Sequence, residues 1–230
     1  MDLTIQDVAK YLQVSEETLL KWVDDGDIPS YTLSGEFRFS REEIEEWVLR
    51  HFHNEDLNIE TIEPVIGPQH FNLYRALNKG LVLTDVEGVT KEEIIYNSMK
   101  LISESLELDA ETITNLLLDR ERLMSTALNR GVAVPHTRDF LLSGAHDVVA
   151  IVYPKKSIEY GALDGKDVHT LFFLFACKDK THLNLLSKIA YFCHQSENLE
   201  VLQARPSKPD LLNTIRHWES KINQLQPANS

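Results

Sequence analysis

GVAVPHTRDFLLSGAHDVVAIVYPKKSIEYGALDGKDVHTLFFLFAC (131–177) holds the three runs that decide the fold: GVAVP (131–135), VVAIVY (148–153) and VHTLFFLFAC (168–177). Each is short, β-branched or aromatic, and bounded by Gly, Pro or charged residues, which is a strand signature. They are apolar enough to be buried on both faces, as strands covered by helices must be. Helical periodicity brackets them. Thr90 and Glu93 make a capping box before a helix carrying Ile94, Ile95, Met99, Leu101, Ile102 and Leu106, and Asp109 starts another through Ile113, Leu116 and Leu117. Downstream, Thr181 opens a helix through Leu183, Leu186, Ile189 and Phe192, and a last pattern runs from Lys208 to Trp218. Strands interleaved with helices predict an α/β domain, a layered mixed sheet with helices on its faces.

A second pattern occupies the first fifty residues. Ile5, Val8, Ala9 and Leu12 recur at helical spacing behind Thr4, a capping residue. Ser15 can cap a second helix with Leu19, Leu20 and Val23 on its inner face, stopped at Gly26. YTLSGEFRF (31–39) alternates around Ser34-Gly35, a two-residue hairpin turn. Ser40 and Glu43 form a capping box opening a third helix through Ile44 and Trp47. Helix, turn, helix, hairpin wing and helix make a small winged helix-turn-helix domain. The punctuated segment 51–69, with Pro64, Gly67 and Pro68, reads as a linker. The expected layout is therefore 1–50 for the winged module, 70–222 for the α/β domain and 223–230 for a frayed tail.

Composition bounds the function. The chain has 230 residues and a formal charge of −13, with 43% hydrophobic and 26% charged residues. Such a chain can bury a core, so it is not of the disordered class. The longest apolar runs fall far short of the ~20 residues of a membrane helix. The opening MDLTIQDVAK carries two aspartates and no apolar stretch, which predicts no secretory signal. Two cysteines, Cys177 and Cys193, cannot build a disulfide scaffold. A cytoplasmic location without membrane contact is expected. The acidity argues against a strongly electrostatic nucleic-acid binder.

Candidate chemistry concentrates in DRERLMSTALNRGVAVPHTR (119–138) and KTHLNLLSKIA (180–190). A strand ending in Val134-Pro135 delivers His136 to a loop, and proline fixes the backbone just before it. A histidine so presented suits a nucleophile or proton carrier, because imidazole titrates near neutrality. Arg120, Arg122 and the hydroxyls of Ser125 and Thr126 lie upstream, and arginine with hydroxyls is a kit for holding a phosphoryl group. GALDGK (161–166) is one residue short of a phosphate-binding loop, so no nucleotide site is expected there. His51 and His53 are spaced wrongly for one helix face and read as surface histidines, and no metal site is expected.

LTIQDVAKYLQVSEETLLKWVDDGDIPSYTLSGEFRFSREEIEEW (3–47) resembles the excisionase/MerR-like DNA-binding family. That resemblance implies a second helix entering the major groove, with Ser15, Glu16, Thr18 and Lys21 facing it and Arg38 on the wing. The chemistry of the helix pulls the other way. Glu16, Glu17, Asp24 and Asp25 accompany a single Lys21, and carboxylates repel phosphates. A helix-turn-helix reused for protein contacts or dimerisation is the alternative.

GVAVPH, preceded by an Arg-Glu-x-x-x-Ser-Thr stretch and followed by Thr-His-Leu-x-x-Leu-Ser, resembles the IIA domain of the bacterial phosphoenolpyruvate-dependent phosphotransferase system, of its fructose/mannitol/nitrogen type. The resemblance implies that His136 accepts a phosphoryl group from a phosphorylated HPr-like carrier. Arg120 is then the site arginine, His182 the second active-site histidine, and Ser125 and Thr126 the family's Ser-Thr pair. It implies no cofactor and no metal. The sequence departs from the family at Met124, Ala127, Asn129, Arg130 and Thr137, where small residues or glycine are usual. Two functions follow as expectations. One is a regulatory phosphocarrier whose phosphorylation controls DNA or a partner protein. The other is a non-catalytic DNA-binding regulator with a degenerate IIA-like sensor. A homodimer stays open for both.

Overall fold

The computed structural model describes residues 2–51, 71–137 and 146–224. In the N-terminal module, α1 (Ile5–Leu12) opens on a reciprocal capping box between Thr4 and Asp7 and closes on left-handed Gln13. α2 (Glu16–Asp24) is capped by Ser15, whose hydroxyl accepts from the Thr18 amide at 3.0 Å. Gly26 follows with φ +76°. The wing pairs β1 (Tyr31–Leu33) with β2 (Glu36–Arg38) antiparallel. Its turn residues Ser34 and Gly35 sit at φ +54° and +82°, the two left-handed positions of a type I′ turn. α3 (Arg41–His51) completes the module. Two details differ from expectation. Ser40 donates to Glu42 at 3.0 Å rather than engaging Glu43, and Leu20 is exposed rather than turned inward.

The second part runs α4 (Asn72–Lys79), β3 (Val82–Val86), α5 (Lys91–Leu106), α6 (Ala110–Leu123), β4 (Ala127–Leu128), β5 (Val132–Ala133), β6 (Val148–Pro154), β7 (Thr170–Phe175), α7 (Asp179–His194), α8 (Ser196–Gln203) and α9 (Lys208–Gln224). Five strands form one sheet in the order β3-β6-β7-β5-β4. β3 runs parallel to β6, β6 antiparallel to β7, β7 parallel to β5, and β5 antiparallel to β4. The mixed sheet matches expectation. β3, β4, α4 and α8 were not anticipated, and α7 begins at Asp179, so Thr181 lies inside it. Thr90 does accept from the Glu93 amide, but the Glu93 carboxylate returns to the Val89 amide instead.

β6 and β7 are buried along their whole length because both faces are covered. Val149, Ile151, Tyr153, Phe172 and Leu174 face a cluster shared with α4, α7 and α9. Val148, Ala150, Val152, Leu171 and Phe173 face a second cluster with Ile94, Ile95 and Met99 of α5 and Ile113 and Leu117 of α6. The first cluster continues without a break into the N-terminal module through Val8, Leu12, Leu19, Phe39, Ile44 and Val48. The helix-turn-helix module is therefore packed against the α/β domain. Of the expected linker 51–69, all but His51 lies outside the described residues, as does the tail beyond Gln224. No helix among the described residues is long and apolar enough to cross a membrane.

Close approach of α4 to the sheet needs a glycine at its end. A Cβ on Gly80 would lie 2.0 Å from the backbone oxygen of Val149 in central strand β6. Gly80→Ala is expected to destabilise the protein by about 2 kcal/mol or more, because backbone, and not a movable side chain, must yield. Urea unfolding of the two proteins measures it, and a midpoint unchanged by the substitution would contradict this packing.

Candidate functional site

β5 carries the chain toward His136, which continues the strand line far enough to bridge Leu174 of β7. Pro135 has no amide to offer the sheet, but its carbonyl accepts from the Leu174 amide at 3.0 Å, so the turn into the site is pinned. The His136 ring is fully buried. Its Nδ1 lies 2.7 Å from the Val134 carbonyl oxygen, which can only accept, so Nδ1 carries a proton and Nε2 is the nitrogen turned toward the other side chains of the site.

Two further elements aim at the same point. Arg120, at the end of α6 and 6% exposed, is held by donating Nη1 to the Met124 carbonyl at 3.1 Å. His182 lies in the first turns of α7, and its ring stands edge-on to His136 with centroids 5.1 Å apart. The helix end supplies partial positive charge there, as does the guanidinium. Neither ring nitrogen of His182 makes a hydrogen bond among the described residues. Burial first, and the neighbouring positive groups second, push its pKa down to about 3.

The point on which these groups converge is held by a residue that the sequence reading did not single out, Glu45 of α3. Its Oε1 lies 3.0 Å from His136 Nε2 and accepts from Arg120 Nε at 3.2 Å, with Arg120 Nη2 at 3.1 Å. Its Oε2 lies 3.8 Å from His182 Nε2. Glu45 is fully buried. Burial alone would raise its carboxyl, but the hydrogen bond and charge of His136, together with His182 and Arg120, hold it well below the usual carboxylate range. The signal was present but faint. Glu45 shares the buried stripe of α3 with Ile44, Val48 and Leu49, yet it is one of four glutamates in REEIEEW (41–47).

Glu45, His136 and His182 also present ligand atoms within 4.8 Å of one another, close enough for a metal ion. Arg120 contacts the same Oε1 and already supplies the positive charge, so the arrangement fits an anion better than a cation.

The remaining candidates are placed differently. Ser125 donates to the Tyr160 carbonyl at 3.0 Å and accepts from the Ala127 amide at 3.2 Å. Thr126 gives both its amide and its hydroxyl to the buried carboxylate of Glu121. These bonds support the strand leading to His136, since the Thr126 carbonyl accepts from the Val134 amide at 2.9 Å. Of the departures, Met124 accepts from Arg50 of α3 at 3.2 Å, and Arg130 adopts a left-handed turn at φ +67°. On the winged module, Ser15 is committed to capping, Thr18 is partly buried, and Glu16 and Lys21 are exposed on α2. Arg38 pairs with Glu36 at 2.6 Å. His51 is not a free surface histidine. It stacks on Trp47 with centroids 3.8 Å apart, and burial pushes its pKa down to about 4.

Residues 75–218 match the family described as phosphoenolpyruvate-dependent sugar phosphotransferase system, EIIA 2, and residues 3–51 match a helix-turn-helix domain. A nitrogen regulatory protein of Pseudomonas aeruginosa is 32% identical over 147 residues, covering 62% of this chain and 94% of the relative. The mannitol-specific phosphotransferase enzyme IIA component of Bacillus subtilis is 31% identical over 103 residues, covering 44% of this chain and 70% of the relative. The crystal structure of the nitrogen regulatory protein IIA-Ntr from Neisseria meningitidis superposes with a TM-score of 0.55 at 26% identity, covering 61% of this chain and 97% of that one.

The buried His182 gives the fold an acid sensitivity of definite sign. Its folded pKa of about 3 lies below the 6.5 of an ordinary histidine. Its contribution is complete above pH 6.5 and is lost as pH falls toward 3, because only the unfolded chain takes the proton. Between pH 7 and pH 5 the loss should be about 2 kcal/mol from this group, with a smaller loss of the same sign from the partly exposed His51. Urea unfolding at both pH values, with His182→Gln beside wild type, measures it. Equal losses in the two proteins would contradict the assignment.

Proposed function

We propose, for a chain that belongs to the phosphoenolpyruvate-dependent sugar phosphotransferase system EIIA 2 family, that His136 is a phosphoryl acceptor whose state governs what the attached helix-turn-helix module binds. The observation that carries this reading is the convergence of His136 Nε2, the Arg120 guanidinium and His182 on one buried point. Nδ1 of His136 keeps its proton on the Val134 carbonyl, which leaves the Nε2 lone pair to attack phosphorus. A new N–P bond forms there, the bond from phosphorus to the donor imidazole breaks, and its electron pair returns to the donor. Such a transfer needs in-line placement and charge stabilisation more than covalent help. Arg120 offsets charge on the phosphoryl oxygens, and His182 can donate a hydrogen bond to one of them. Ser125 and Thr126 act on this reading by holding the strand that presents His136.

The donor is a phosphorylated HPr-like carrier. The output is regulatory rather than a step in sugar uptake, a reading supported by the fused helix-turn-helix and by the nitrogen regulatory relative. The module's target is DNA or a regulated protein, read through Ser15, Thr18 and Lys21 on α2 and Arg38 on the wing. The proposed organisation is the winged module at 1–50, a linker at 51–69, the phosphotransfer domain at 70–222 and a tail at 223–230.

The test is incubation of the full chain with phosphoenolpyruvate, enzyme I and an HPr-type carrier, read by intact mass and acid lability. One acid-labile phosphate is expected on wild type and none on His136→Ala. No phosphate with several carriers would leave the sensor reading in its place. If DNA is the target, its affinity should fall steeply with salt in proportion to the phosphates neutralised, and a flat salt response would argue for a protein target.

A further inference from the structure

The contact that fills the phosphoacceptor site comes from the other module. α3 brings Glu45 to His136 and Arg120, and the surrounding contacts hold it there. Arg41 of α3 pairs with Asp179 at the start of α7. Arg50 reaches the Met124 sulfur, and Asn184 of α7 donates to the Tyr11 carbonyl of α1 at 3.4 Å. Ile44 and Val48 continue the apolar core on both sides of Glu45.

We propose that Glu45 is the internal occupant of the phosphoryl site, so that the docked helix-turn-helix module and phosphohistidine exclude each other. The inference rests on the phosphoacceptor reading above and adds the device by which the two modules are coupled.

Three features of the geometry support it. The first is kinship of chemistry: a carboxylate, like a phosphoryl group, is an acceptor-only anion, and Glu45 takes the Arg120 guanidinium that a phosphoryl group would take. The second is obstruction. Oε1 stands 3.0 Å from Nε2, on the side from which phosphorus must approach. Nδ1 already donates to the Val134 carbonyl, so Nε2 is the nitrogen left for phosphorus, and it is the one the carboxylate covers. The third is an incomplete fit. The fully buried His182 ring has both nitrogens without a hydrogen bond, and its Nε2 stays 3.8 Å from Oε2. One carboxylate oxygen, Oε1, serves both His136 and Arg120, while Oε2 stops short of His182. A phosphoryl group has three terminal oxygens and can serve all of them.

Coupling then runs in both directions, as linkage requires. While Glu45 is seated, the donor cannot reach Nε2. Once α3 swings away, Nε2 is open to the donor. Once Nε2 carries phosphate, close to two negative charges lie where the Glu45 carboxylate would return. Phosphorylation therefore keeps α3 out of the site and frees the faces of α1 and α3 that docking covers.

The experiment compares initial rates of acid-labile phosphate formation at limiting HPr-type carrier, on full-length wild type, Glu45→Ala, Glu45→Gln and His136→Ala. Both Glu45 variants should be phosphorylated faster than wild type by about tenfold, within the roughly 5–150-fold span of coupled sites, and His136→Ala not at all. Amide hydrogen exchange of α3 in wild type should quicken on phosphorylation, a readout that needs no substitution and stands if Glu45→Ala fails to fold. Equal rates in wild type and both Glu45 variants, or an α3 as protected after phosphorylation as before, would overturn the proposal and leave the phosphoacceptor reading intact. No phosphate on any of the proteins would remove that reading and this proposal with it.

Discussion

A carboxylate with no exposed surface must be matched by charge and hydrogen bonds, because an isolated ion in the protein interior costs many kcal/mol in lost hydration. Glu45 meets that demand with residues 75 and 91 positions away, Arg120 and His136. The arrangement of the modules is tied to this match. α3 must lie across the mouth formed by α6, β5 and α7, and α1 then rests along α7. The apolar residues beside Glu45 join a cluster that reaches the central strands. Apolar packing supplies the adhesion, and the buried carboxylate supplies the register. Removing one member of such a pair typically costs about 3–5 kcal/mol through the partner left behind, and its hydrogen bonds are directional where apolar contacts are not. The ionic match thus fixes where α3 sits with a precision that the surrounding leucines and valines would not.

Much of the fold was legible because the sequence agrees with it locally. β6 and β7 are unbroken apolar runs, as strands covered on both faces are, and Ser34-Gly35 specified the wing through the two left-handed residues its turn requires. The omissions have physical reasons. β3 is an edge strand, exposed at Thr84 and Asp85, so its apolar signal is diluted. β4 has two residues, too few for any period to show. α4 and α8 have eight residues each and owe their helicity to the sheet and to α7. His136, Arg120 and His182 were legible because their neighbours in sequence carry the pattern. Glu45 was not, since its role depends on partners brought to it by tertiary packing. Within EEIEEW nothing local separates it from Glu42, Glu43 and Glu46. Met124 was read as bulk where a glycine is usual, and it proves to meet Arg50 across the same interface.

The side of the module that docks constrains what release can change. α1 and α3 face the α/β domain, while Glu16, Glu17, Lys21, Asp24 and Asp25 of α2 are exposed with the module in place. Docking therefore does not cover the charged face through which a helix-turn-helix would meet a duplex. What docking covers is apolar surface around Ile44 and Val48, and one glutamate. On the proposed coupling, a change of state at His136 acts first on that covered face, and on α2 only through the position and freedom of the whole module. The acids of α2 are kept from the site by their exposed position and not by their charge, since its arginine and histidines favour an anion, here one presented from within a buried surface. Glu45 alone among the module's described acids is so presented, because α3 carries it on the apolar stripe.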